Sequence, residues 1–194
     1  MITRRKQLEA IRYAWKLCQK SGIALREEEI ANIEVADFGL NEFETTGLMI
    51  LTLQVTHEIG IKLIALYPWQ LCPEHKHPPQ GDYAGKEETF RGLWGQAWLY
   101  VPGEPTPQPH ARVPAHRRPY YTSWHEVDLN PGQTHTSPPN EWHWFQAGPD
   151  GAVILSISTR PTDYQDLFRD PGVQRKTSII DGERPAEGRA IDCE

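Results

Sequence analysis

The chain has 194 residues, 38% hydrophobic and 24% charged, which suits one globular domain over residues 1–194 with a sizeable core. Its net charge of −6 and the lack of any basic run argue against nucleic acid or an anionic membrane surface as the main partner, and leave small neutral ligands. No apolar stretch approaches the roughly 20 residues of a membrane span, and the first six residues lack the apolar centre of a signal peptide, so a cytoplasmic location is expected.

Leu8, Ile11, Trp15 and Cys18 recur at helical spacing among charged residues, with Gly22 where a helix would end, and predict an amphipathic helix over 3–21. A second short helix is expected over 26–32. Residues 1–33 thus form a helical extension long enough to cover one side of a barrel. From Glu34 the periodicity turns to β, with candidate strands over 47–55, 61–67, 89–101, 124–129, 142–145 and 152–158, separated by Pro and Gly. These place a barrel over 34–160. Residues 102–119 contain six prolines and little that is apolar, and predict a long surface loop. The remainder, 161–194, reads as a short helix over 163–169 and a thinly tethered tail over 181–194. Cys18, Cys72 and Cys193 are far apart and fit reduced, unpaired thiols.

The chemistry sits in the middle of the chain. Side chains alternate along a strand, so His75 and His77 point one way while Lys76 points the other. Glu88 opens the next segment, with six residues between it and Gly95, a glycine that suits a tight turn. Downstream, Gly132, Pro138, Asn140 and His143 stand at fixed intervals. His75, His77, Glu88 and His143 are therefore the expected ligands of one divalent metal, and a shell of nitrogen and oxygen without thiolate suits Mn, Fe, Co, Ni or Zn. His57, His110, His116 and His135 are expected to be structural or solvated, and Cys72 to be packing. Seven tryptophans are many for this length. Trp94 and Trp98, at even spacing, are expected on one side of a strand, and Trp142 and Trp144 facing away from His143. They suit a barrel wall, and a mouth walled by Trp around a metal would make a carbohydrate pocket.

His-x-His, a loop, Glu-x6-Gly, and then Gly-x5-Pro-x-Asn-x2-His resemble the two signature motifs of cupins, mainly-β proteins with a double-stranded β-helix, or jelly-roll, barrel. The loop from His77 to Glu88 is longer than usual in cupins, and Asn140 stands where Gly is usual. Further words, Glu34–Asn41, Cys72–Pro79, Gly85–Arg91, Pro138–Pro149 and Asp170-Pro171, are similar to those of the D-lyxose isomerases, spanning about residues 23–175.

This resemblance implies aldose–ketose isomerisation of D-lyxose to D-xylulose, and of D-mannose to D-fructose, through an enediolate. It implies His75, His77, Glu88 and His143 as the metal ligands, manganese as the foremost metal, a sugar as the partner, and a homodimer. Lys86 matches an active-site lysine of the family, expected to act as acid, base or electrostatic partner with a pKa lowered by the metal. No residue is assigned to substrate binding. One departure stands out: a carboxylate expected on the last barrel strand falls on Ser156. That implies weak turnover, improved by Ser156→Glu, with Glu87, Asp37, Glu126 or His125 as substitutes for the carboxylate. The alternatives are another metallo-cupin enzyme, such as a dioxygenase or sugar epimerase, and a non-catalytic sugar-binding cupin.

Overall fold

A computed structural model describes residues 1–180. It opens with a two-residue strand, β1 (Ile2–Thr3), and the helix α1 (Arg4–Cys18). Thr3 caps α1: its backbone is extended and its hydroxyl accepts from the Lys6 N–H at 3.2 Å. A 3-10 turn over Gln19–Ser21 continues the helix to Gly22, whose φ of 76° ends it. The deepest residues of α1 are Ala10, Ala14, Leu17 and Cys18, flanked by Ile11, Tyr13 and Trp15. Small side chains at the centre let the helix lie close on the sheet. The second expected helix, 26–32, is a 3-10 helix over Glu27–Asn32, because the Glu29 carboxylate turns back to accept from the Arg26 N–H at 2.7 Å.

The other strands, in chain order, are β2 (Ile33–Ala36), β3 (Leu48–Val55), β4 (Ile59–Leu66), β5 (Leu71–Lys76), β6 (Glu88–Val101), β7 (His125–Asp128), β8 (Thr134–Ser137), β9 (His143–Thr159), β10 (Leu167–Phe168) and β11 (Ile179–Ile180). An antiparallel sheet runs in the order β10-β5-β9-β4-β3-β2, while β6 pairs with β7, β8 and β9 and so curls the sheet into the cupin barrel. The strands expected over 142–145 and 152–158 are the two ends of one strand, β9. Its first half pairs with β5 and its second with β4. Strands β6 and β9 bend together at two bulges, where Gly95 (φ 71°) faces Gly151 (φ 84°). A Cβ on Gly95 would lie 2.1 Å from the Gly151 carbonyl oxygen, so only glycine fits this corner. Gly95 is thus a bend in a continuous strand and not the turn expected of it.

Three clusters fill the molecule. Inside the barrel lie Phe38, Leu48, Ile50, Ile64, Phe90 and Phe145. Outside it, α1 covers Val35, Met49, Leu51, Leu63 and Val153. A third cluster, Leu71, Trp98, Tyr100, Tyr121 and Trp144, seats the far end of the loop over 102–124. That loop is as exposed as its prolines predict, but it is fastened: buried Glu74 accepts hydrogen bonds from Thr122 and Ser123, and His110 stacks on Trp98 at 4.5 Å. The bulge between Gly95 and Ala97 separates Trp94 and Trp98, the pair that even spacing would have put together. Trp94 packs on the helix side under Lys20, and Trp98 on the loop side.

Residues 163–169 are not the expected helix. A single 3-10 turn, Asp163–Gln165, leads into β10, which adds to the edge of β5 and pairs Phe168 with His75. Edge pairing satisfies backbone groups that a seven-residue helix would leave half unpaired. The tail over 181–194, with Cys193, lies outside the described residues; Cys18 and Cys72 are free and buried.

Candidate active site

Register builds the site. His75 on β5 pairs with His143 at the start of β9, and His77 follows just past the end of β5. The three rings meet with centroids 4.4 to 5.1 Å apart, and one ligand atom from each lies within 4.8 Å of the others. Each Nδ1 is engaged on the outer side. His75 Nδ1–H donates to the Pro73 carbonyl at 2.9 Å, His143 Nδ1–H to the Glu141 carbonyl at 3.1 Å, and His77 Nδ1–H to Asp166 Oδ1 at 2.6 Å. For His75 and His143 that fixes the tautomer with Nε2 free, as in histidines that bind a metal, whereas His77 meets a carboxylate at both nitrogens: burial and Lys86 lower its pKa, but Asp166 and Glu88 outweigh them and raise it. His143 Nε2 is buried with no hydrogen-bond partner, which suits a lone pair meant for a cation. Burial and the neighbouring imidazoles push His75 and His143 down to about 3, so both are neutral, as ligands must be. Lys76 points the other way, its ammonium 5.1 Å from the Trp142 ring.

Glu88, the first residue of β6, stands against His77, with Oε2 2.9 Å from His77 Nε2. It also accepts from the Lys86 ammonium at 2.9 Å and from the Ser156 hydroxyl. Burial raises its pKa, but Lys86 and His77 outweigh burial and hold the carboxyl well below the usual range. Among the described residues the mutually close ligand atoms are those of the three histidines, and Glu88 adjoins them. Lys86 is buried and its ammonium reaches both Glu88 and Asp163 Oδ1, each at 2.9 Å. Burial pulls its pKa down, yet Glu88, Asp163 and Asp166 outweigh burial and raise it. Lys86 is a fixed cation.

His75, Glu88 and Lys86 line one cavity, together with apolar Phe38, Ile50, Ile64, Phe145 and Phe168 and charged Lys62, Asp163 and Asp166. The wall is phenylalanine and isoleucine, and no tryptophan lines it.

No family model matches the chain. Curated relatives do. The chain is 46% identical over 180 residues to the D-lyxose ketol-isomerase of a Thermofilum species, covering 93% of this chain and 100% of that protein. It is 45% identical over 181 residues to the D-lyxose/D-mannose isomerase of Thermosediminibacter oceani, again covering 93% of this chain and 100% of the relative. The chain belongs to the D-lyxose ketol-isomerase family. Among solved structures it is similar to the L-ribose isomerase of Acinetobacter sp. DL28 in complex with L-ribose, with a TM-score of 0.77 at 17% identity, over 92% of this chain and 98% of that one. It is similar too to the L-ribose isomerase of Cellulomonas parahominis, with a TM-score of 0.74 at 18% identity and the same coverage. At such identities the likeness is one of fold.

In this member of the D-lyxose ketol-isomerase family, Ser156 does face the site: it is buried and bonded to Glu88. None of the four substitutes for a carboxylate there reaches the cavity. Glu87 is exposed, Asp37 binds the Met1 ammonium and the Gly39 N–H, Glu126 binds Tyr100 and His110, and His125 is exposed beside Gly103. The carboxylates present are Asp163 and Asp166, from the segment that sequence periodicity assigns to a helix. No motif marks them, since their partners lie 77 to 101 residues away. Lys62 and Arg175 line the cavity and were equally silent in the sequence. His57, His110, His116 and His135 take other partners or lie outside the triad. Burial holds the Cys72 thiol well above its ordinary pKa, so it packs and does not react.

Proposed function

We propose that the chain is a metal-dependent ketol-isomerase that interconverts D-lyxose with D-xylulose, and D-mannose with D-fructose, through an enediolate. The observation that carries this reading is the buried imidazole triad, with its outer nitrogens satisfied and His75 lining a cavity that Lys86 and Glu88 also line, in a chain 46% identical to a D-lyxose ketol-isomerase. His75, His77, Glu88 and His143 would hold one divalent cation, manganese first, with Co, Fe, Ni or Zn as alternatives that such a donor set accepts. Bound there, a divalent cation supplies Lewis-acid polarisation of a sugar carbonyl and stabilises negative charge on adjacent oxygens.

The chain's own groups divide the remaining work. Asp166 keeps the His77 ring oriented, and the Ser156 hydroxyl does the same for Glu88. Lys86, held cationic, is the catalytic residue: its ammonium stabilises the negative charge that develops on a sugar oxygen, while water in the cavity takes up the C2 proton and returns one at C1.

The working form is a homodimer. Ile59 and Ile157, on neighbouring strands β4 and β9 and on the same outer face, are 41% and 43% exposed, and a second copy covering this patch removes it from water. No described helix is long and apolar enough to cross a membrane, and the free buried thiols suit the cytoplasm.

The test is metal content with activity. Purified protein should carry about one divalent ion, lose D-lyxose conversion on chelation and regain it with manganese. The His143→Ala variant should do neither. A fully active protein without metal sinks the proposal.

A further inference from the structure

The register of the barrel puts a charged residue where apolar ones are usual. Across β3, β4, β9 and β6, Thr52, Lys62, Ser156 and Phe90 are paired in one row, so their side chains share a face. Phe90 and Ser156 are buried inside the barrel, and Lys62 therefore points inward with them. The next row inward, Ile50, Ile64 and Ile154, is wholly apolar. Lysine is rarely buried without a partner. Here the partner is Asp163: its Oδ2 accepts from Lys62, whose side chain is 12% exposed, and its Oδ1 accepts from Lys86 at 2.9 Å.

We propose that Lys62 contacts the sugar directly, and that Asp163 is the positioning residue that holds Lys62 beside Lys86. The proposal rests on the reading that this cavity takes a sugar. An ammonium has three N–H donors. Lys86 spends two on Glu88 and Asp163, whereas among the described residues Lys62 spends one, on Asp163. Its remaining donors stand on the cavity wall between the apolar layer and the ligand Glu88. Hydroxyls on the sugar carbons that take no part in proton transfer are acceptors of matching chemistry, and the isoleucine layer offers a surface for the C–H faces between them. Ser156 makes this possible by its size: a longer side chain in the same row would occupy the space through which Lys62 reaches Asp163.

The experiment is calorimetric titration of D-arabinitol, the reduced and unreactive form of D-lyxose, into manganese-loaded protein, alongside kinetics on D-lyxose. Lys62→Met keeps the aliphatic stem and loses the donors. It should bind the polyol about 10- to 100-fold more weakly, the range for a hydrogen bond from a charged donor, and raise KM alike while changing kcat less than about fivefold. Asp163→Asn should weaken the polyol in the same direction, and the double variant should be no weaker than the worse single one, since both act through the same contact. Lys62→Arg, which keeps a cation for Asp163 but moves the donors, should still lose at least about fivefold in polyol affinity with an unchanged melting temperature. If Lys62→Met melts lower but binds D-arabinitol as the wild type does, Lys62 only fastens the chain after β9 and the proposal falls. It falls too if Lys62→Arg binds normally, or if the loaded wild type binds no polyol. A wild type that binds D-arabinitol through Lys62 yet never converts D-lyxose would sink the isomerase reading and leave this contact standing.

Discussion

The Nε2 of His143 is a desolvated lone pair, and leaving such an acceptor unmet costs about 1–3 kcal/mol. Coordination of a cation offsets that cost, and the groups behind the imidazoles determine how well. Asp166 is the strongest of these, since it accepts from His77 with a full charge. Asp166→Ala should therefore weaken manganese binding about 10- to 100-fold, as read by competition with a chromogenic chelator, with the overall fold retained. An unchanged affinity would show that Asp166 does not orient the ring. Position 156 reverses an expectation. A glutamate there would press a second carboxylate against Glu88, so Ser156→Glu should lower D-lyxose turnover and raise the pKa of one carboxyl of the pair. Faster turnover by Ser156→Glu would restore the view that a last-strand carboxylate is missing. The convergence of His75, His77 and His143, with Glu88 beside them, was legible in the sequence because alternation on a strand and fixed spacings are local facts. Asp163, Asp166 and Lys62 were not, because each acquires its role from a partner brought near only by the register of β4, β5 and β9.

The segment after β9 is the element that completes the site, although its short 3-10 turn and two-residue strand give almost no periodic signal. Three attachments hold it: Asp163 to the two lysines, Asp166 to His77, and β10 to the edge of β5. Burial raises the pKa of Asp163, but Lys86 and Lys62 outweigh it and the net shift is downward. A carboxyl with a depressed folded-state pKa contributes stability at pH values above its unfolded value, near 3.8, and that contribution fades as the pH falls toward the folded value. Asp163→Asn should cost about 3 kcal/mol at pH 7, for a pair broken in a mostly buried setting. The difference from wild type should shrink by about 1 kcal/mol at pH 3, measured by denaturant unfolding. A penalty that grows on acidification would contradict the ion-pair account. Corners behave similarly: the bend at Gly95 was visible only as a glycine, and whether it makes a turn or a bulge depends on Gly151, which faces it across two strands.

At the scale of the whole molecule, the barrel, its helical cover and the proposed metal site form one cooperative body, because the histidines of the triad come from β5, the residue after it and β9, with Glu88 of β6 beside them. Metal binding should therefore stabilise the entire fold. At a hundredfold excess over Kd it adds about 2.7 kcal/mol, and chelation should lower the melting temperature by about 5–10 °C. A melting temperature indifferent to chelator would mean that the triad binds no ion. The exposed patch of Ile59 and Ile157 belongs to this scale too: Ile157→Lys should shift the protein from dimer to monomer in sedimentation, and a monomeric wild type would remove the proposed interface. The central claim, proton transfer within a metal-held sugar, is tested most directly by converting D-lyxose in deuterium oxide and reading the D-xylulose by NMR. The account predicts deuterium at C1 of the ketose. D-Xylulose that carries the original C2 hydrogen at C1 with no solvent label would contradict it, since the hydrogen would then have passed from C2 to C1 without entering solvent.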